Sequence, residues 1–307
     1  ARRAAMKRRI RTYFEGNHVL EVDTPVLSRF AVSDPQIASR EITRSQVSAG
    51  PLYLHTSPEF HMKRLLAADF PDIYSICRVY RDGESGRLHQ PEFTMVEWYR
   101  LGMQLNEIID DTLGVIRAAL NNDINVDQVD YVDAFMSACG VDPLAADVAA
   151  LADAADADDE LRAAIGEERD DWLDLLLATR VIAGFAPGNL TVLRHYPASQ
   201  ASLARLCPGD PRVADRFEVF LGPVELANGY VELTDADEQA RRIAADNEAR
   251  QRRGRPVRPV DTLFLEAMEA GLPECAGVAM GLERLQMLFN KTDDIGNVIT
   301  FTVQTDE

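Results

Sequence analysis

The side chains best suited to chemistry cluster between Ile73 and Arg100. Arg81, Arg87 and His89 suit phosphate, Phe93 offers an aromatic plate for a base, and Glu97 beside Tyr99 offers an acid and a phenol for an ammonium group. Residues 73–81 and 93–100 are rich in β-branched and aromatic types, and the segment between them carries Gly83, Gly86 and Pro91. The stretch therefore predicts a strand, a polar loop and a returning strand. Side chains alternate along a strand, which puts Phe93, Met95, Glu97 and Tyr99 on one face. One end of that face would take a nucleotide and the other a cation. Taken alone, an ordinary hairpin with a solvated charged loop would carry the same residues, so the reading depends on what the other stretches add.

Three stretches add to it. Pro51–Glu59 predicts a short strand running into a helix, with Ser57 as N-cap, Pro58 at the first helical position and Glu59 in the first turn. Glu59 complements the helix dipole there, or faces a ligand. Arg216–Leu233 predicts a second hairpin turned at Gly222-Pro223. That loop would place Glu218 and Glu225 on one face as diagonal neighbours, close enough to repel unless a cation such as Mg²⁺ lies between them. Glu232 falls on the opposite face of a uniform strand, so a bulge at Asn228-Gly229 is expected to re-aim the chain and bring all three acids to one cavity. Finally, Gly271–Phe289 predicts a glycine-punctuated strand entering a helix with a buried stripe of Leu282, Leu285, Leu288 and Phe289. Arg284 sits near the helix start, where a cation opposes the dipole and a bound anion would relieve the conflict.

The elements that must hold these groups follow from pattern. Residues 2–14 predict an amphipathic helix with Met6, Ile10 and Phe14 inward, and Val19–Leu27 a strand marked by Pro25 as an edge or interface. Residues 105–120 and 235–253 predict helices. Residues 28–50 look irregular, and residues 121–180, rich in Ala and Asp, predict a helical acidic insertion without chemistry. The chain has 307 residues, a net charge of −18, 46% hydrophobic content and four widely spaced cysteines. These values describe a globular protein with reduced thiols and disfavour broad binding to nucleic acid. No apolar run reaches the ~18–20 residues of a membrane helix, and neither a P-loop nor a G-x-G-x-x-G fingerprint occurs.

Together, helix 2–14 with Pro25, the stretch Arg81–Phe93 and Gly281-Leu-Glu-Arg284 resemble the three ordered motifs of class II aminoacyl-tRNA synthetases. Thr56-Ser-Pro-Glu59, Pro91-Glu-Phe-Thr94 and Glu225-Leu-Ala-Asn-Gly229 resemble the lysyl branch. Within that branch, Tyr196–Leu203 and Gly277-Val-Ala-Met-Gly281 are most similar to the paralogous elongation factor P lysine ligases. The resemblance implies an α+β fold, an antiparallel sheet flanked by helices, in a single catalytic domain over residues 1–307 without an anticodon-binding OB-fold. It also implies a cytoplasmic homodimer that activates (R)-β-lysine or lysine with ATP and transfers it to a lysine side chain of elongation factor P.

Residue by residue, the resemblance implies that Arg81 holds the α-phosphate, Phe93 stacks on adenine, and His89 and Arg284 reach the terminal phosphates. Asp82, Gly83, Glu84, Gln90, Glu225, Leu226 and Gly281 complete the ATP site, and Glu218 with Glu225 holds Mg²⁺. Ser57, Pro58, Glu59 and Asn228 would meet the amino acid, Glu97, Tyr99 and Glu232 its distal ammonium, and Ala279 the pocket floor. One departure stands out: the family carries Glu where this chain has Gly83, with Glu84 following. A truncated lysyl-tRNA synthetase acting on tRNA is disfavoured by the net charge, and a catalytically silent paralogue is supported only by Gly83.

Overall fold

A computed structural model of the chain describes residues 1–46, 48 and 50–302. They form two compact units, one of residues 1–122 and 232–302, the other of residues 123–231.

The first unit begins with α1 (Arg2–Gly16), whose Met6, Ile10 and Phe14 are fully buried, as their helical spacing predicts. The strand expected at Val19–Leu27 is only two short pieces, β1 (Leu20–Glu21) and β2 (Leu27–Ser28), because Pro25 between them cannot donate a ladder bond. Next come β3 (Glu41–Ile42), β4 (Leu52–Leu54) and α2 (Glu59–Leu66). They are followed by β5 (Ile73–Tyr80), β6 (Glu92–Leu101) and α3 (Leu105–Leu120). Strand β5 carries β1 parallel on one side and pairs antiparallel with β6 on the other.

The second unit holds β7 (Val126–Asp130), α4 (Tyr131–Cys139), α5 (Val148–Ala154), α6 (Asp159–Ile165) and α7 (Arg169–Leu176). Its later strands are β8 (Leu190–Arg194), β9 (Leu206–Cys207), β10 (Asp210–Ala214), β11 (Arg216–Leu221) and β12 (Val224–Val231). Strand β11 pairs antiparallel with both β12 and β8, and β8 pairs parallel with β7. The acidic stretch is more than a surface insertion. Its helices pack Trp172, Leu173, Leu176, Leu151, Phe135 and Tyr131 into a buried cluster with Tyr196 and Phe220, while the aspartates face outward.

The chain returns to the first unit with α8 (Ala236–Arg252), α9 (Thr262–Gly271), β13 (Cys275–Gly281) and α10 (Leu282–Asn290). Helix α9 escaped sequence inspection. Strand β13 pairs antiparallel with β6 in unbroken register from Cys275 opposite Leu101 to Gly281 opposite Met95. In α10, Leu282, Leu285 and Met287 are buried while the expected Leu288 and Phe289 are half-buried, and Glu283 lies inward, accepting from Arg3 and from the Thr94 backbone N–H. Of the arginines near the end of α8, Arg252 is exposed and Arg250 is not. Arg250 is buried, donating to Pro256 O and Asp34 O, and so ties the segment before β3 to the helix.

Strand β6 is covered on both faces. Thr94, Val96 and Trp98 point toward α1 and α3: Phe14 lies 5.5 Å from Trp98, whose indole N–H donates to Asp111. Tyr99, on the other face, joins the core built by Met62 and Leu66 of α2, Ile243 of α8 and Phe264 and Met268 of α9. Large apolar side chains on both faces hold β6 in one register, since a slip of one residue would exchange the two sets. The α+β class expected from sequence is the one found, with antiparallel-rich sheets flanked by helices.

Candidate active site

Every group in the first-unit site is placed by β6 or a direct neighbour of it. Met95, Glu97 and Tyr99 stand opposite Gly281, Ala279 and Gly277 of β13, so the small residues lie beside the functional ones. Gly277 is required by its surroundings: a Cβ there would lie 2.5 Å from both Glu232 Oε1 and Tyr99 Cε1. Protein side chains therefore fill the space beside it. Gly281 leaves more room, with Arg284 Cδ 3.9 Å from the equivalent position.

At one end of this face is a dry acidic cluster. Glu97 accepts hydrogen bonds from Ser57 Oγ at 2.7 Å and from Tyr99 Oη at 2.9 Å. Ser57 Oγ in turn accepts the backbone N–H of Glu59 at 3.0 Å, so one hydroxyl joins the start of α2 to the strand carboxylate. The helix begins at Glu59, with Pro58 before it, one position later than the capping pattern predicted. Lys63, one turn further on and 1% exposed, places its ammonium 2.6 Å from Glu59 Oε1 and 2.5 Å from Glu232 Oε2. Glu232 is set by its own backbone N–H donating to Cys275 O, and its Oε1 has no hydrogen-bond partner among the described residues. Lys63 was not foreseen as part of the site. Its i,i+4 spacing from Glu59 was the available signal.

The electrostatics follow from that enclosure. Burial pushes the Glu97 carboxyl up to about 8, with Glu59 adding to the shift and the bonds from Ser57 and Tyr99 opposing it. Burial raises Glu232 as well, against the pull of Lys63. Burial also works against the charge on Lys63, yet Glu232 and Glu59 outweigh it and hold the ammonium above its ordinary value. Ser57 and Glu59 also border a cavity of about 50 Å³ whose wall includes Phe30, His55, His61 and Asp261.

The other end of the face is basic and wetter. The Arg81 backbone N–H donates to Pro91 O, fixing this residue where β5 and β6 part. Its guanidinium lies 5.3 Å from the centre of the Phe93 ring, and its Nε has no hydrogen-bond partner among the described residues. Gly83 has φ +80°, a conformation that Glu would adopt only under strain, and Glu84 instead stands 3.7 Å from Arg81. Asp82 is held by Arg40, and Gln90 Oε1 is buried with no hydrogen-bond partner among the described residues. Arg284, in the first turn of α10, donates to His89 Nε2 at 2.6 Å and to Leu88 O at 3.4 Å. The imidazole nitrogen is therefore the acceptor, and the helix start and the loop present their donors together.

Glu218, Glu225, Leu226 and Asn228 belong to the second unit. The two-residue turn at Gly222-Pro223 is found as expected, with Leu221 opposite Val224 and Phe220 opposite Glu225. The bulge lies at Leu226, between Phe220–Glu225 and Val219–Ala227, and not at Asn228-Gly229, which pair in register with Glu218 and Phe217. Glu225 shares the face of Glu218 through its partner Phe220, and the bulge brings Asn228 to that face too. Arg216, unforeseen here, sits on that face too. It donates to Glu218 Oε1 at 2.7 Å and to Asn228 Oδ1 at 3.3 Å, and lies 4.5 Å from the Tyr196 ring centre. Burial raises the Glu218 carboxyl; Arg216 opposes the shift and Glu225 adds to it. The paired acids are oxygen donors of the kind Mg²⁺ takes. His195, Cys207 and Asp215 also bring donor atoms within 4.8 Å of one another, but Asp215 accepts from Arg205 and His195 is bonded to Asp130.

Comparison with known proteins extends this geometry to a family. The model of tRNA synthetases class II (D, K and N) matches residues 1–305. An elongation factor P--(R)-beta-lysine ligase of Klebsiella pneumoniae subsp. pneumoniae is 43% identical over 306 residues, covering 98% of this chain and 94% of that protein. The proteins of the same name from Yersinia enterocolitica and Sodalis glossinidius are 42% and 41% identical, over 98% and 99% of this chain and 94% of each relative. A sheet face with an arginine end and a carboxylate end, carried on motifs in this order and matched along the whole chain, leads to one conclusion: the protein belongs to the class II tRNA synthetase family of the D, K and N type.

Proposed function

We propose that the protein activates (R)-β-lysine, or lysine, with ATP as an aminoacyl adenylate and transfers it to a lysine side chain of elongation factor P. The observation that carries this reading is the acid cluster of buried Glu97 and Glu232 with half-buried Glu59, at one end of a sheet face that bears Phe93 and Arg81 at its other end. A buried carboxylate needs a cationic partner, and Glu232 Oε1, without a hydrogen-bond partner among the described residues, supports a second ammonium beyond Lys63. The names of the relatives supply the acceptor protein and the β-lysine.

In the first half-reaction the substrate carboxylate attacks the α-phosphorus of ATP and pyrophosphate leaves. In the second, a lysine ε-amine of the acceptor attacks the adenylate carbonyl, AMP leaves with the bonding pair and the amine loses a proton. No protein nucleophile takes part. Arg81 would hold the α-phosphate, Phe93 would stack on adenine, and His89 and Arg284 would meet the terminal phosphates, with Asp82, Gly83, Glu84, Gln90, Leu226 and Gly281 around them. Glu218 and Glu225 would hold Mg²⁺, which neutralises phosphate charge when bound. Ser57, Pro58, Glu59, Asn228 and Ala279 would border the amino acid, and Glu97, Tyr99 and Glu232 its distal ammonium.

The reading brings a cytoplasmic location and a homodimer formed through α1 and its sequel. Leu20 and Leu27, 46% and 48% exposed beside Pro25, support the dimer. No helix among the described residues is long and apolar enough to cross a membrane. The test is transfer of labelled lysine and β-lysine to purified elongation factor P and, in parallel, to tRNA. Label in the protein supports the ligase, and label only in tRNA replaces it with a synthetase.

A further inference from the structure

Lys63 presents an unusual arrangement for a site that selects cations: the protein's own ammonium is already inside. It is 1% exposed and bridges Glu59 and Glu232, with the Phe264 ring centre 5.9 Å away. The ionisable groups around it are Glu59 on its own helix, Glu97 and Tyr99 on β6, Glu232, and the Cys275 thiol on β13. Three of these are carboxylates. Glu97 and Glu232 are buried and Glu59 is half-buried beside them; carboxylates so close, two of them out of water, cannot all ionise unaided, and a protonated carboxyl pairs poorly with an ammonium group. Once all three are ionised, as binding of ammonium groups requires, one resident cation leaves a balance of two negative charges.

We infer that Lys63 is a positioning residue that determines specificity by charge count. It neutralises one of three carboxylates, so that the acidic end is matched to a substrate with two ammonium groups, and it aims Glu59 and Glu232 by bridging them. A diamino acid whose carboxylate is engaged at the arginine end carries that charge; a monoamino acid falls one short. The inference rests on the proposed amino-acid activation for its substrate but concerns a different residue and has a readout independent of substrate. Lysine has a flexible stem and a compact charge, and an arginine in its place keeps the charge while changing the shape.

The experiment compares wild type, Lys63→Met and Lys63→Arg in ATP–pyrophosphate exchange with lysine and with norleucine from pH 6 to 9. Thermal melts of the apo proteins cover the same range. For Lys63→Met the KM for lysine at pH 7 is expected to rise about tenfold or more, corresponding to one unit of proton competition. The KM for ATP should stay put, and raising the pH should restore lysine binding. Lys63→Arg should keep the wild-type pH profile, and norleucine should gain relative to lysine only in Lys63→Met.

In the melts, Lys63→Met should lose Tm more steeply than wild type as pH rises. A folded Lys63→Met protein with wild-type KM and pH profiles overturns the inference. So does a Lys63→Arg protein that behaves like Lys63→Met, since shape rather than charge would then be at work. If Lys63→Met does not fold, the Lys63→Arg profile decides: unchanged supports, shifted overturns. Absence of exchange in wild type with both lysine and (R)-β-lysine would sink the proposed function instead, and the apo melts would still decide the role of Lys63.

Discussion

The acidic and basic ends of the β6 face are built from the same strand pair in opposite ways. Glu97, Glu232 and Lys63 are at most 2% exposed and interlocked by hydroxyl, amide and ammonium contacts, whereas Arg81 keeps 26% of its side chain in solvent beside Glu84 at 30%. The difference follows from what each end would hold. A primary ammonium is small and is selected against neutral isosteres only where water is removed and each donor meets an acceptor. A triphosphate is large and highly charged, and guanidinium groups grip it well at a half-open rim. In the proposed reaction the acidic end would therefore carry discrimination, and the basic end rate.

Four measurements would break or sharpen that contrast. The largest effect is expected for Glu97→Ala, which removes the acceptor of two hydroxyl donors inside a dry cluster. Truncating one member of a buried charged hydrogen-bonded set costs roughly 2–5 kcal/mol, about 30- to 4,000-fold, and kinetics should show it in kcat/KM for lysine with the KM for ATP nearly unchanged. Equal damage to both substrates would mean the two ends are not separate. For Arg81→Ala, pyrophosphate exchange should slow by about 10²–10³ with Tm almost unmoved, since a half-exposed cation contributes to the transition state more than to folding. A rate near that of wild type would remove Arg81 from the proposed chemistry.

The third measurement is pH. The carboxyls of Glu97 and Glu232 are raised from 4.5 to about 8, so in the window between those values the folded protein holds protons that the unfolded chain has released. Stability therefore falls as pH rises across that window. The KM for lysine should fall over its upper part, by up to about tenfold per unit, because an ammonium needs the ionised acid. A lysine KM flat from pH 6 to 8 would show that these carboxylates do not face the substrate. The smallest effect belongs to Glu84→Ala. Its 3.7 Å contact with Arg81 is partly solvated and should be worth no more than about 1 kcal/mol in stability. The informative readout is the KM for ATP: a rise shows that Glu84 does the work expected of the position occupied by Gly83.

Much of the first-unit site was legible because it obeys short-range periodicity. A repeat of two places Phe93, Glu97 and Tyr99 on one face of β6, and a repeat near 3.6 buries Met6, Ile10 and Phe14 of α1. Lys63 was harder to read. Its spacing from Glu59 showed a helix-surface ion pair, but only the packing of α2 against α9 and β13 made that surface an interior. Arg216 was missed for a related reason, since a cation two residues from Glu218 looks like an ordinary strand neighbour until the fold half-buries both. The bulge was expected on parity grounds but set too late at Asn228-Gly229; Leu226 takes that place, and glycine was no guide to it.

By itself the amino-acid order determined which residues share a strand face or a helix stripe, and through its three motifs which family the chain joins, because both rest on local spacing. Tertiary structure alone decided which charges lose water. Burial depends on neighbours distant in sequence, such as Lys63 beside Glu232 or Arg3 against Glu283, and burial turns a row of ordinary carboxylates into a cluster that holds protons and demands a cation.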